Sequence, residues 1–149
     1  MKPLIVLISV FLISLVITAL LSEMNLVLSG KIALSVMLLF TSIGHFKFTN
    51  GMMKMLPEGM PAKKEMIWIT GIIEMLAAIG IIVSSTARTT GMLLIIFFVL
   101  ILPSNIYAAV RHLDYEKADY TGSGVKYLWF RVPFQLLLIG WVYFFIIRA

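Results

Sequence analysis

Five side chains in this sequence are of types that do chemistry yet stand in or at the end of long apolar runs: His45, Glu74, Asn105, Arg131 and Gln135. A charge near the middle of a lipid-embedded helix costs about 2.5–3.5 kcal/mol on insertion scales, so Arg131 is expected to face protein or water and to have a partner. Arg131 can only donate hydrogen bonds, the two amides donate and accept, and Glu74 and His45 exchange protons. Such a set, gathered in apolar surroundings, can bind and protonate a small polar head group. At 1.5 Å rise per residue, Arg131 lies ~8 Å inside Lys126 and Gln135 ~14 Å, on one face because they are spaced i, i+4. Glu74 lies ~12 Å beyond Met66 and Asn105 ~9 Å before Arg111, while His45 stands just ahead of Lys47. Four runs thus each bring a polar group to one depth.

Neighbouring residues extend the candidate site. Gly71, Glu74 and Ala78 recur at i, i+3, i+7, a stripe small enough for a second helix to approach closely. Thr41 and Ser42 precede His45 by four and three residues and can share its face. Pro103 removes a backbone donor just before Asn105 and is expected to kink its helix. Thr70, Gly71 and Pro103, with the rings of Phe46, Tyr107, Trp129 and Phe134, are the expected pocket lining.

Elements able to position these groups follow from composition. Of 149 residues, 61% are hydrophobic and 13% charged, and the mean hydropathy is +1.05. Such a chain is too apolar for an ordinary soluble domain and is expected in a lipid bilayer. The net charge of +5 sits between apolar runs and not as a stripe on a polar surface, which argues against nucleic acid. Five runs, about 4–21, 32–48, 66–83, 92–110 and 128–147, are expected to cross the ~30 Å hydrocarbon layer as helices. They lack the period-two alternation of a barrel. The expected fold is therefore all-α, a polytopic transmembrane helix bundle forming a single membrane domain over 1–149. The first run is read as a retained helix, since no small-x-small cleavage site follows it.

With five spans, Lys2, Lys47, Lys54, Lys63, Lys64, Arg111, Lys117 and Lys126 fall on one side and Lys31, Arg88 and Arg148 on the other. That bias places the N-terminus in the cytoplasm and the C-terminus outside. Phe48, Met52, Met55 and Leu56 form an apolar stripe, so residues about 48–56 are expected as an interfacial amphipathic segment ended by Pro57, with an irregular loop as the alternative. The polar stretch 111–126, with Gly122 and Gly124, is expected to be a flexible surface connection.

No cysteine is present, so electrons in any redox reaction would be carried by a bound molecule or partner. No metal site is expected: a Glu-x-x-His pair would need histidine where Ala77 stands. A haem between His45 and His112 is set aside because His112 adjoins Arg111 at the surface.

Gly44-His45-Phe46, Met55-Leu56-Pro57 with Pro61, Thr70-Gly71-x-x-Glu74, Leu102-Pro103-Ser104-Asn105-Ile106-Tyr107 and Phe130-Arg131-x-Pro133-x-Gln135 together resemble the DoxX-like family of small bacterial membrane proteins. The resemblance runs from about Ile32 to the C-terminus. It implies a four-helix DoxX-like core plus one additional N-terminal transmembrane helix, residence in the bacterial inner membrane, and association with redox membranes through a quinone-reducing sulfur oxidoreductase. The expected function is a buried polar pocket in the cytoplasmic half that takes a quinone or polar-headed lipid, in a subunit of a membrane redox system. A redox partner protein or a second copy of the chain is the expected partner, beside the bilayer. The alternatives are a non-catalytic assembly or scaffold subunit and a small-solute transporter, the latter disfavoured by the lack of an inverted repeat.

Overall fold

The computed structural model describes residues 2–21 and 23–149, and every regular element among them is helical. In chain order these are α1 (Lys2–Leu21), α2 (Leu26–Lys47), the short α3 (Thr49–Met53), α4 (Lys63–Gly80), α5 (Ser84–Val110) and α6 (Leu128–Val142). A tight turn at Gly124–Tyr127 leads into α6, and a wide turn at Tyr143–Ile147 continues it. The helices α1, α2, α5 and the stretch Gly124–Ile147 are long and apolar enough to cross a membrane. Helix α4 is 18 residues long and carries Lys63, Lys64, Glu65 and Glu74.

Helix α2 is the hub, packed on α1 and α4 and meeting the C-terminal turn. It begins six residues earlier than the apolar run suggests because Asn25 caps it, its side chain accepting from the Leu28 amide at 2.9 Å. Its buried positions include Ser29, Gly30, Ala33, Ser35 and Ser42, small residues that let neighbours approach. Trp141 uses that closeness, donating its indole N–H to the Gly30 carbonyl at 3.0 Å. Ser35 ties α2 to α4 through the Ala78 carbonyl at 2.6 Å. Helix α5 buries Ala87, Gly91, Leu94, Phe98 and Asn105, a near-heptad stripe, against the Phe134–Leu138–Val142 face of α6.

Helix α1 is apolar all round and buries only Leu7 and Ser14 of its described residues. Large apolar side chains also line the outside of the other long helices, Leu76, Leu100 and Leu136 among them.

One end of the bundle is closed by two connections folded on each other. The stretch 111–126, expected from Gly122 and Gly124 to be a flexible surface connection, is folded by hydrogen bonds of its own. Asp114 and Asp119 exchange backbone hydrogen bonds at 2.8 and 3.3 Å. The Asp114 side chain accepts from the Glu116 and Lys117 amides, and that of Asp119 from Thr121, the local turn chemistry that aspartate favours. Tyr115 packs edge-on against Phe48, and its carbonyl lies where a Cβ on Gly51 would be. The expected amphipathic segment is thus a five-residue helix with its buried side against a loop, and Leu56 is buried beyond it. Lys2 binds Glu116 at 2.7 Å, so the start of α1 is at the same end.

Candidate functional site

Four of the highlighted polar side chains meet between α2 and α4. On α2, Thr41 and His45 are one turn apart, as are Thr70 and Glu74 on α4, so two i, i+4 ladders face each other. The contact requires Gly71, since a Cβ there would lie 2.8 Å from that of His45. The Thr41 hydroxyl lies 2.7 Å from Glu74 Oε2, and His45 Nε2 lies 3.5 Å from Glu74 Oε1. His45 Nδ1 is 3.0 Å from the Thr70 hydroxyl and 3.1 Å from the Ile67 carbonyl. Both partners are well covered, with 16% of the His45 and 7% of the Glu74 side chain exposed.

Chemically this is an acid–base pair with a hydroxyl at each end. Where Nδ1 accepts from Thr70, a neutral ring turns its single N–H toward Glu74; where Nδ1 donates to Ile67, Nε2 faces the acid with a lone pair. Thr41 has one proton for two acceptors, the Leu38 carbonyl at 3.0 Å and Glu74. The cluster therefore accommodates a proton on either the acid or the ring.

The rest of the expected layer is divided. Asn105 is buried, but its amide donates to the Ile101 carbonyl of its own helix at 2.9 Å, next to Pro103. Gln135 crosses from α6 to α5 and donates to the Phe98 carbonyl at 2.6 Å. Among the described residues, Gln135 Oε1 and Arg131 Nε are both buried and without a hydrogen-bond partner. Among the described residues Arg131 forms no ion pair, and Glu74 is engaged by α2 instead.

The charge of Arg131 acts on Tyr115 in the closing loop. Burial, then Tyr127 and Glu116, push the Tyr115 phenol from 10.0 up to about 12, while Arg131 pulls it down. Of the expected lining, Thr70 and Gly71 are in the cluster, and Phe134 is buried and stacks on Phe130 at 5.7 Å. Tyr107 accepts from Arg111 at 2.9 Å near the closed end. Phe46, Pro103 and Trp129 face outward, Trp129 with 84% of its surface exposed.

Two hollows lie at the ends of the bundle, not at the polar layer. One, of about 730 Å³, is lined by Thr18, Glu23 and Asn25 where α1 passes to α2. The other, of about 330 Å³, lies at the closed end beside Lys54, Lys63 and Arg111. Among the described residues no three His, Asp or Glu side chains gather as a metal-ligand set. The donor role of Thr41 is readable from its spacing to His45, whereas Tyr115 reaches the interior through a loop fold that periodicity does not reveal.

The model of a family described as a domain of unknown function (DUF8561) matches residues 34–146, well over half of the chain. No curated protein and no solved structure matches. The resemblance to the DoxX-like family is therefore corrected: it is DUF8561, not a DoxX model, that accounts for this sequence. The short elements behind the resemblance combine glycine, proline and isolated polar residues, which helix packing in membranes favours in general. The implied link to a sulfur oxidoreductase goes with it. The matched region begins within α2 and leaves α1 outside.

Proposed function

We propose that this chain, which belongs to the DUF8561 family, is a five-span membrane protein that holds a polar-headed amphiphile, a quinone or a lipid, against Arg131 and Gln135 of α6. The observation that carries this reading is the pair of buried, unpartnered atoms Arg131 Nε and Gln135 Oε1. One is a donor and the other an acceptor, a turn apart on one helix face. Leaving such groups unpaired costs about 1–3 kcal/mol each, so an occupant with a carbonyl and a hydroxyl is favoured there. A third orphan, Ser29 Oγ, stands near the opposite end of α2 and takes no part. Helix α4 serves as the fifth span: its 18 residues measure ~27 Å, with its three adjacent charges at one end. The apolar outer faces of the helices contact lipid, and the cation bias directs the closed end to the cytoplasm of a bacterial inner membrane. His45 and Glu74 are the proton-exchanging pair that turnover of a quinone would draw on, with a redox protein or a second copy of the chain as partner.

Mass spectrometry of small molecules extracted from gently purified protein tests this reading. One amphiphile at near-stoichiometric yield is expected from the natural chain, lost in Arg131→Met and Gln135→Leu but kept in Thr41→Val. Bulk phospholipid alone, unchanged in those variants, would end it.

A second reading, a non-catalytic assembly subunit, is favoured by one observation: both oxygens of Glu74 are already engaged by α2. In that case Glu74→Gln loosens the bundle and no single molecule co-purifies.

A further inference from the structure

The hollow at the closed end opens between the α3 turn, the start of α4 and the end of α5. Lys54, Lys63 and Arg111 line it with the apolar Met53 and Leu56, and its one acid is Glu58. Lys54 and Arg111 are held in place by neighbours. Lys54 Nζ donates to the Ala118 carbonyl at 2.6 Å and stands 5.4 Å from the centre of the Tyr120 ring. Arg111 lies 5.8 Å from the same ring, so one aromatic face system orders both. Arg111 also donates to the Tyr107 hydroxyl at 2.9 Å and to Glu58 Oε1 at 2.7 Å. Its guanidinium, with Lys63 nearby, holds the Glu58 carboxyl below the usual carboxylate range.

Within the lining three cations face one carboxylate, carried on a side chain 76% exposed, and Asp119 outside the lining is near enough to Lys54 to feel its charge. Lys63 and Lys64 occupy the first turn of α4, where the helix dipole disfavours cations; Glu65 is the acid of that turn, and no side-chain hydrogen bond caps it among the described residues. An oxyanion would offset each of these costs, and a guanidinium already holding a carboxylate is suited to a phosphate.

We propose that this hollow binds the phosphate of an anionic membrane phospholipid among Lys54, Lys63 and Arg111, displacing Glu58 from Arg111 and leaving along Met53 and Leu56. The site lies at the ends of the apolar helices, the level at which lipid head groups stand. Free phosphate shares the oxyanion chemistry but gains nothing from the apolar wall, so lipid is the occupant. The site is separate from Arg131 and Gln135 and stands or falls independently of the reading given for them.

The full chain in a neutral detergent is titrated with phosphatidylglycerol and with phosphatidylcholine, and binding is read by native mass spectrometry. Saturable, preferential binding of the anionic lipid is expected, weakened about fivefold by Lys63→Gln, the loss of one cation near a lipid surface. Glu58→Gln is expected to tighten it, because Arg111 loses its resident competitor; a merely structural ion pair would give no gain. Arg111→Gln is expected to weaken it further, and if that variant does not fold the other two decide. Equal binding of the two lipids, indifference to Lys63→Gln, or weaker binding in Glu58→Gln would overturn the proposal. Inorganic phosphate that binds as tightly as the lipid would overturn it in favour of a soluble oxyanion.

Discussion

A buried carboxyl group needs hydrogen-bonding neighbours, and Glu74 finds them in Thr41 and His45, both on α2. The residue types of the site were legible in the sequence, as were the small positions that let α2 and α4 close. Arg131 was legible as a group needing a partner, but among the described residues its Nε has none, and its charge acts on a tyrosine in a loop. Single glycines test how tightly these contacts are set. At Gly51 a Cβ would land on the Tyr115 backbone carbonyl, whereas at Gly140 it would meet nothing within 4 Å. Gly51→Ala is therefore expected to lower stability by about 1–3 kcal/mol through overpacking. Gly140→Ala, in a helix interior, is expected to raise it by about 0.5–1 kcal/mol. Unfolding of both variants in the same detergent checks the contrast.

Among the elements, the long helices follow from uninterrupted apolar runs, and their ends shift only where capping or polar turns extend them. The connection from 111 to 123 behaves otherwise. Its glycines and charges read as a mobile loop, but aspartate turns fold it and Tyr115 anchors it on α3. That anchor carries a pH signature. The phenol is raised from 10.0 to about 12 in the folded chain, chiefly by burial. The unfolded chain thus loses its tyrosine proton first as pH rises. The contribution of Tyr115 is complete below pH 10 and drains away between 10 and about 12. Melting temperatures of the natural chain and Tyr115→Phe, compared across that window, are expected to fall more steeply for the natural chain. Parallel curves would show that the side chain is not buried as described.

For the whole molecule, the family model covers α3 to α6 and most of α2, while α1 lies outside it, packed mainly on α2. A topology in which α4 spans makes a direct forecast, and the absence of cysteine makes it convenient to check. Asn50→Cys and Lys117→Cys are expected to react with an impermeant maleimide from one face of the membrane, Glu23→Cys and Arg88→Cys from the other. Labelling of Asn50→Cys and Arg88→Cys from the same face would show that α4 does not cross.

Helical class and the apolar periphery are sums over neighbouring residues, so the sequence by itself determined them. Which groups touch depends on the rotation of each helix about its axis and on which helices are neighbours. Two side chains at equal depth can point to opposite sides of a bundle, because each residue turns the helix by about 100°. Only the tertiary structure therefore decided that Glu74 belongs to His45 and Thr41, that Arg131 and Gln135 keep unpaired atoms, and that two distant connections close one end over a cationic hollow.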